Sequence, residues 1–421
     1  MTQTHLPPPP PTQPVTWLAR LTGPIAGACL SSFMLVGLVT TVYTVATGKL
    51  DLLPKAPTWP SFLDGRVTQG IADALAGAPV PRESARIERG FSWMAIGDLG
   101  PRVRQGCPGW LFLADEFKPH PNAQANAQSR LQELVRAKER LASQGARLLV
   151  TVVPDKSRME AANLCGLYRP AAFETRLKGW TDALAAAGVD VLDLQPAMAR
   201  TASPADGEDD GSGAFLRTDT HWNERGARSA AQAVAQKVQA MGMTATPTQH
   251  YLTTPQKPTA RAGDLVRLAG IDSLPVSRQP RADIQRATTF TASDGSTGMD
   301  NAVGASQAGQ LASGAASGMQ APAPSPSSAP TEEDLFGDAK APNIAVIGTS
   351  FSRTSNFVPF LQAALNTTVV NAAMDGGDFS GAARQYFQGP TFKETPPALV
   401  IWEIPERVLQ QPRRNDDIGL K

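Results

Sequence analysis

Histidine is scarce in this chain, with four in 421 residues, and cysteine is scarcer, with three. Neither type is spaced as a set of metal ligands, so no metal site is expected. Charged residues make up 18% of the chain, the formal net charge is +1 and no dense basic block occurs, which argues against nucleic acid as a partner. There is no Walker or dinucleotide-binding glycine pattern, so no cofactor is expected. What the chain does have is apolar content, 42% of it, enough for a large core. The 36 glycines and 36 prolines imply long irregular segments beside that core.

One stretch lacks charge altogether. Residues Leu21 to Gly48 include the apolar run Phe33 to Val39. A bilayer core of roughly 30 Å needs about 20 such residues, so the segment is long enough to span. It exceeds the apolar region of a signal peptide and no clean A-x-A site follows, which favours an uncleaved anchor over a removed signal. A buried core helix is the alternative. The flanking charges, Arg20 before and Lys49, Asp51 and Lys55 after, nearly balance and so say little about orientation. The expected organisation is a proline-rich tail over 1–20, the anchor over 21–48, a stalk over 49–104 and one domain over 105–421. The stalk reads as turns with a helical piece from Val67 to Ala76.

From Gly109 the pattern alternates. Helices are expected over Ala123 to Ser143 and Phe173 to Ala187, with strands over Arg147 to Val153 and Val189 to Leu194. Further strands are expected at Ile344, at Thr367 to Asn371 and at Ala398 to Ile401. Strands separated by helices imply a parallel sheet covered on both faces, an α/β fold in the form of a three-layer α/β/α sandwich. From about Thr291 to Thr331 the chain is Gly, Ser, Ala, Pro and Gln with almost no large apolar side chain. Such a segment cannot offset the entropy of ordering itself, so it reads as a disordered insertion, either a tolerated surface loop or a lid.

The chemistry concentrates around one histidine. His5 lies in the proline-rich tail, His120 is held between Pro119 and Pro121, and His250 has no acid nearby in sequence. His221 follows Asp219 by two positions and precedes a helix start. There Asn223 is placed to cap a stripe of Ala227, Ala230, Val234, Val238 and Met241. Taken alone, such an acid and histidine read more readily as a capped surface turn. Farther on, the apolar run Asn343 to Ile347 has the character of a buried parallel strand and ends at once in Gly348-Thr349-Ser350-Phe351-Ser352. Nucleophiles sit at such carboxyl ends of strands, although Ser350 or Ser352 also suits an ordinary helix cap. Together the two motifs supply an acid, an imidazole and a hydroxyl. A free hydroxyl is a poor nucleophile until an oriented base removes its proton.

The pairing of Asp219-Thr220-His221-Trp222 with Gly348-Thr349-Ser350-Phe351-Ser352 resembles the SGNH-hydrolase-like domain of the periplasmic alginate O-acetyltransferase family. Gly109 to Leu113, Pro154-Asp155-Lys156, Gly263-Asp264-Leu265, Asn356-Phe357 and Trp402 to Arg407 fit the same pattern, over roughly 105–408. In that family the acid and histidine precede the serine, a circular permutation of the usual SGNH order, as here. The resemblance implies Ser350 as nucleophile, His221 as general base and Asp219 as the residue that orients the imidazole. It also implies a polysaccharide acceptor, a multi-span membrane acyltransferase partner as acetyl donor, and an inner-membrane, single-pass protein with a cytoplasmic tail and a periplasmic domain. The chain stops soon after Arg407 and so resembles the shorter, membrane-anchored members that lack a carbohydrate-binding module.

Several further residues are candidates. The backbone N–H groups of Ser350 and Phe351, or those of Gly376 and Gly377 in a glycine turn after the next strand, suit an oxyanion hole. Lys156, after a strand end, is a candidate for substrate binding, and Trp222 for stacking on a sugar. A solvated lysine and a core tryptophan are the alternatives. Cys29 would lie in the membrane, which leaves Cys107 and Cys165 either as a disulfide pinning the Trp110 segment to the loop after Pro154, or as two free thiols. The reading for function is transfer of an acetyl group to a secreted polysaccharide through acyl-Ser350. A carbohydrate esterase and a non-catalytic scaffold of a polysaccharide-export complex are the alternatives.

Overall fold

The computed structural model describes residues 17–53, 58–201, 213–293, 341–413 and 416–420, and the side chains from residue 23 onward. The chain divides into two compact units, Met1–Asp98 and Leu99–Lys421.

Within the first unit, helix α1 covers Trp17–Ala46. Its segment Gly23–Ala46 has mean hydropathy 2.0 and is long and apolar enough to cross a membrane. The hydroxyls of Thr40, Thr44 and Thr47 donate to carbonyls one turn back, which removes much of their cost in an apolar medium. The stalk expected over 49–104 is more regular than a run of turns. Besides α2 at Arg66–Ala76 it contains α3, an 18-residue helix over Pro79–Ile96. Prolines at 79 and 81 hid this helix, yet both fall in its first turn, where a missing N–H costs nothing.

In the second unit a five-stranded sheet forms the middle layer. In chain order its strands are β1 (Arg147–Val153), β2 (Asp190–Asp193), β3 (Ile344–Ile347), β4 (Val370–Asn371) and β5 (Leu399–Pro405). They lie in the spatial order β4-β3-β5-β1-β2, every pair parallel. Alternate residues feed two cores. Leu148, Val150, Val152, Ala345, Ile347, Val400, Trp402 and Ile404 face one side, where they meet α4 (Ala123–Ser143) through Leu134 and Leu141 and α5 (Arg176–Ala186) through Leu177 and Leu184. Leu149, Val153, Ile344, Val346, Leu399 and Ile401 face the other side, against α6 (Glu224–Ala240) through Ala230 and Val234 and α7 (Phe357–Leu365) through Phe357 and Leu361. This is the three-layer α/β/α sandwich with a parallel sheet.

Two strand boundaries differ from the expectation by more than one residue. β5 continues to Pro405 because it pairs with β1 along its whole length, although the acid Glu403 interrupts its apolar run. Thr367 to Val369 stand outside the ladder, which begins at Val370. The segment from Thr291 opens differently too, since Thr291 and Ala292 complete a strand, Thr288–Ala292, paired with Tyr251–Pro255. Most of the expected insertion, 294–331, lies outside the described residues, as does most of the tail over 1–20. Cys107 and Cys165 form a disulfide, and Cys29 is a free thiol in α1.

Candidate active site

The turn carrying Ser350 begins where β3 ends. Strands β3 and β5 are neighbours, so the carboxylate of Glu403 on β5 lies directly beneath that turn. It accepts the Thr349 N–H at 2.7 Å, the Thr349 hydroxyl at 3.1 Å and the Ser352 hydroxyl at 3.1 Å. A Cβ on Gly348 would come within 2.6 Å of the same carboxylate, so only glycine lets the strand end approach it. Burial pushes the Glu403 carboxyl up, and the hydrogen bonds from Thr349 and Ser352 offset part of that rise. Ser352 is thereby committed to the scaffold, whereas Ser350 is the partly exposed hydroxyl of the turn.

The acid and base arrive on a loop folded back between Phe215 and Trp222, which form an isolated antiparallel bridge. Asn223 caps α6 by accepting the Gly226 N–H, and this fixes where the loop ends. His221 Nε2 lies 2.7 Å from Ser350 Oγ, and His221 Nδ1 lies 2.6 Å from Asp219 Oδ1. Asp219 also accepts the backbone N–H groups of His221 and Asp264, at 3.0 and 3.1 Å, and Arg261 stands 3.4 Å from its Oδ2. Burial pushes the Asp219 carboxyl up, but the His221 imidazole, its hydrogen bonds and Arg261 outweigh that and hold it below the usual range. For His221 burial favours the neutral ring, yet Asp219, with help from Asp264, raises it above the ordinary imidazole value. The Phe351 ring, edge-on to His221 at 5.0 Å and to Trp222 at 5.1 Å, wedges the imidazole in place.

Sequence reasoning left the supports of this loop without roles. Asp283, on a short strand paired with Thr259–Arg261, accepts the N–H groups of Arg217 and Thr218 and the Thr218 hydroxyl. Asp264 accepts both the N–H and the hydroxyl of Thr220, at 2.7 and 2.6 Å. Gly263 packs so closely on the Thr218 carbonyl that a Cβ there would overlap it. The visible signals were the Gly263-Asp264-Leu265 motif and, at Glu403, an acid in an otherwise apolar strand. Nothing local marked Asp283.

Two candidates for substrate contact need correction. Lys156 is enclosed, and its ammonium donates to the carbonyls of Leu111, Arg217 and Asp219 at 2.6, 2.9 and 2.9 Å. Burial brings it down to about 8 despite the surrounding carboxylates. It clamps the loop that carries Asp219 and offers nothing to a solute. Trp222 is fully buried, stacked on Phe357 with its indole N–H directed at the Thr354 carbonyl, so it cannot stack on a sugar. Of the oxyanion candidates, Gly377 spends its N–H on the Met374 carbonyl, and the Phe351 N–H points at Thr349 Oγ1 at 3.4 Å. Gly376 is exposed, in the left-handed region, on a loop tied to Gly348 by the Met374 N–H. Asp219, His221 and Asp264 also bring one ligand atom each within 4.8 Å of one another. Their hydrogen bonds to one another and to Thr220 account for that grouping without an ion.

A parallel three-layer sandwich with this strand order has the architecture of the SGNH-hydrolase class. The family model of the SGNH hydrolase-like domain of the acetyltransferase AlgX matches residues 103–312 and 298–406, and the chain belongs to this family. It is 30% identical over 338 residues to a protein named probable alginate O-acetylase AlgJ from Pseudomonas aeruginosa, covering 79% of this chain and 76% of that one. It is 25% identical over 380 residues to the alginate biosynthesis protein AlgX of Pseudomonas putida, covering 88% and 67%. Among solved structures, the O-acetyltransferase domain of Pseudomonas putida AlgJ superposes with a TM-score of 0.57 at 26% identity, over 75% of this chain and 94% of that one. The chain is therefore an enzyme of an acetyltransferase family.

Proposed function

We propose that the protein transfers acetyl groups to hydroxyls of a secreted polysaccharide, alginate by the names of its relatives, through an acyl-Ser350 intermediate. The observation that carries this reading is the unbroken chain from Ser350 Oγ through both nitrogens of His221 to Asp219. In the first half, His221 Nε2 takes the hydroxyl proton while Oγ bonds the acetyl carbon, and the proton then passes to the departing group of the donor. In the second half, a sugar hydroxyl gives its proton to His221 and bonds the acetyl carbon, and Ser350 Oγ leaves with the proton. Asp219 holds Nδ1–H and stabilises the imidazolium in both halves. The Ser350 N–H, at the first position of its helical turn where no intrahelical acceptor exists, is the oxyanion donor of this reading.

The apolar helix α1 supports an inner-membrane anchor, and the Cys107–Cys165 disulfide supports an oxidising, periplasmic side for the domain. In that setting a membrane-bound acyltransferase supplies the acetyl group. The test is incubation of the full chain in detergent with an activated acetyl ester, with and without oligosaccharide acceptor. Acetylated sugar and a Ser350 acetyl adduct by mass spectrometry are expected. Ser350→Ala abolishes both, and Asp219→Asn lowers kcat by about 10³ to 10⁴. Hydrolysis without transfer identifies an esterase, and no turnover by wild type identifies a scaffold.

A further inference from the structure

Several arginines lie on the segments that build or adjoin the site, and most of them are paired with acids. Arg261 stands 3.4 Å from Asp219, and Arg353 stands 3.7 Å from Asp375. Deeper, Arg158, Arg169 and Arg176 converge on Glu406, at 2.7, 3.3 and 3.1 Å. Arg407, the next residue in the chain, does not join them. Its guanidinium lies over the Phe351 ring, 5.3 Å from the centroid, and Phe351 is the residue that follows Ser350 and abuts His221. Arg407 is partly buried. Asp155 and Glu403 feel its charge, but among the described residues no carboxylate comes close enough to form an ion pair or hydrogen bond with it.

A guanidinium carries five N–H donors in a planar fork, and a ring face beneath it leaves that fork unoccupied. Drawing such a cation partly out of water is unfavourable unless an anion completes it. The position follows β5 at the carboxyl end of the sheet, beside the strand that presents Ser350. A uronic acid residue bears a carboxylate on the same ring as its hydroxyls. Holding that carboxylate bidentately fixes how far a hydroxyl of the ring stands from the acyl group.

We propose that Arg407 binds the carboxylate of the acceptor uronate and so positions a hydroxyl of that ring against acyl-Ser350. The inference rests on the transferase reading and adds the group that selects an anionic acceptor over a neutral one.

The test uses the full chain in detergent, an activated acetyl ester as donor, and an oligouronate acceptor beside the same oligomer with its carboxylates methyl-esterified. The wild type is expected to favour the free acid. Arg407→Gln raises KM for the oligouronate about tenfold, lowers the ratio of transfer to ester hydrolysis, and loses the preference over the methyl ester. Arg407→Lys, which keeps the charge and loses the fork, restores part of the preference. Calorimetric titration of the oligouronate into Ser350→Ala, with and without Arg407→Gln, reads binding without turnover, with thermal unfolding as the check on folding. Equal binding in the two proteins, or transfer and hydrolysis falling together, overturns the role of Arg407. If the wild type fails to transfer while Arg407→Gln still abolishes binding, the transferase reading falls and the anion site stands.

Discussion

His221 is the residue whose charge sets the working range of the site. Burial and three groups act on it: burial favours the neutral ring and Arg407 adds to that, while Asp219, at 2.6 Å, and Asp264 raise its basicity. The net direction is upward. A general base must be neutral to accept the serine proton, so the acid limb of the rate profile is expected above the ordinary imidazole value of about 6.5. Asp264→Asn removes one anion that favours the imidazolium, and the limb then moves to lower pH. The measurement is kcat/KM for ester hydrolysis across pH 5 to 9. A limb that stays in place or moves upward contradicts this account of the charges. Ser350 and Ser352, two positions apart, show how far burial decides chemistry: one hydroxyl meets His221 and the other meets Glu403.

Among elements, the end of β3 and the middle of β5 act as a pair. The Glu403 carboxylate holds the turn that presents Ser350, and Thr349 is its principal donor. Glu403→Ala leaves a buried N–H without an acceptor, at a cost of about 1–3 kcal/mol. It also frees the turn, so kcat is expected to fall along with the urea midpoint. Glu403→Gln keeps an acceptor oxygen and is expected to be milder in both respects. Wild-type kcat and stability in the alanine variant would remove Glu403 from the account. The strands β1 and β3 were legible in sequence because they are apolar on both faces, and the helix α4 because it is long with one apolar stripe. Helix α3 was not, because its prolines look like breaks until they are seen to occupy a first turn.

At the scale of the molecule, the disulfide closes a loop across 58 positions and ties the segment leading to Trp110 to the region after β1. Trp110, Phe112 and Leu164 form a small core of their own there, beside the Lys156 clamp on the Asp219 loop. Cross-linking a loop of this length stabilises by about 2–4 kcal/mol, chiefly by restricting the unfolded chain. Reduction, or Cys107→Ser with Cys165→Ser, is expected to lower the guanidinium midpoint accordingly, and an unchanged midpoint would show that the bridge contributes nothing. Alkylation of the unreduced, denatured protein should label Cys29 alone.

Periodicity was enough, in the sequence by itself, to indicate the α/β class, the parallel sheet and the apolar N-terminal segment, and the pairing of Asp219-Thr220-His221 with the 348–352 turn was legible as a resemblance to a known family. Those features are local, carried by alternation along a strand or by a few adjacent residues. The tertiary structure alone decided that Ser352 is bound to Glu403, that Lys156 and Trp222 are enclosed, and that Asp264, Asp283 and Glu403 hold the site. Each of these depends on contacts between segments tens to hundreds of residues apart. Whether a polar side chain faces the cleft or a buried carbonyl is fixed by packing, which no local pattern encodes.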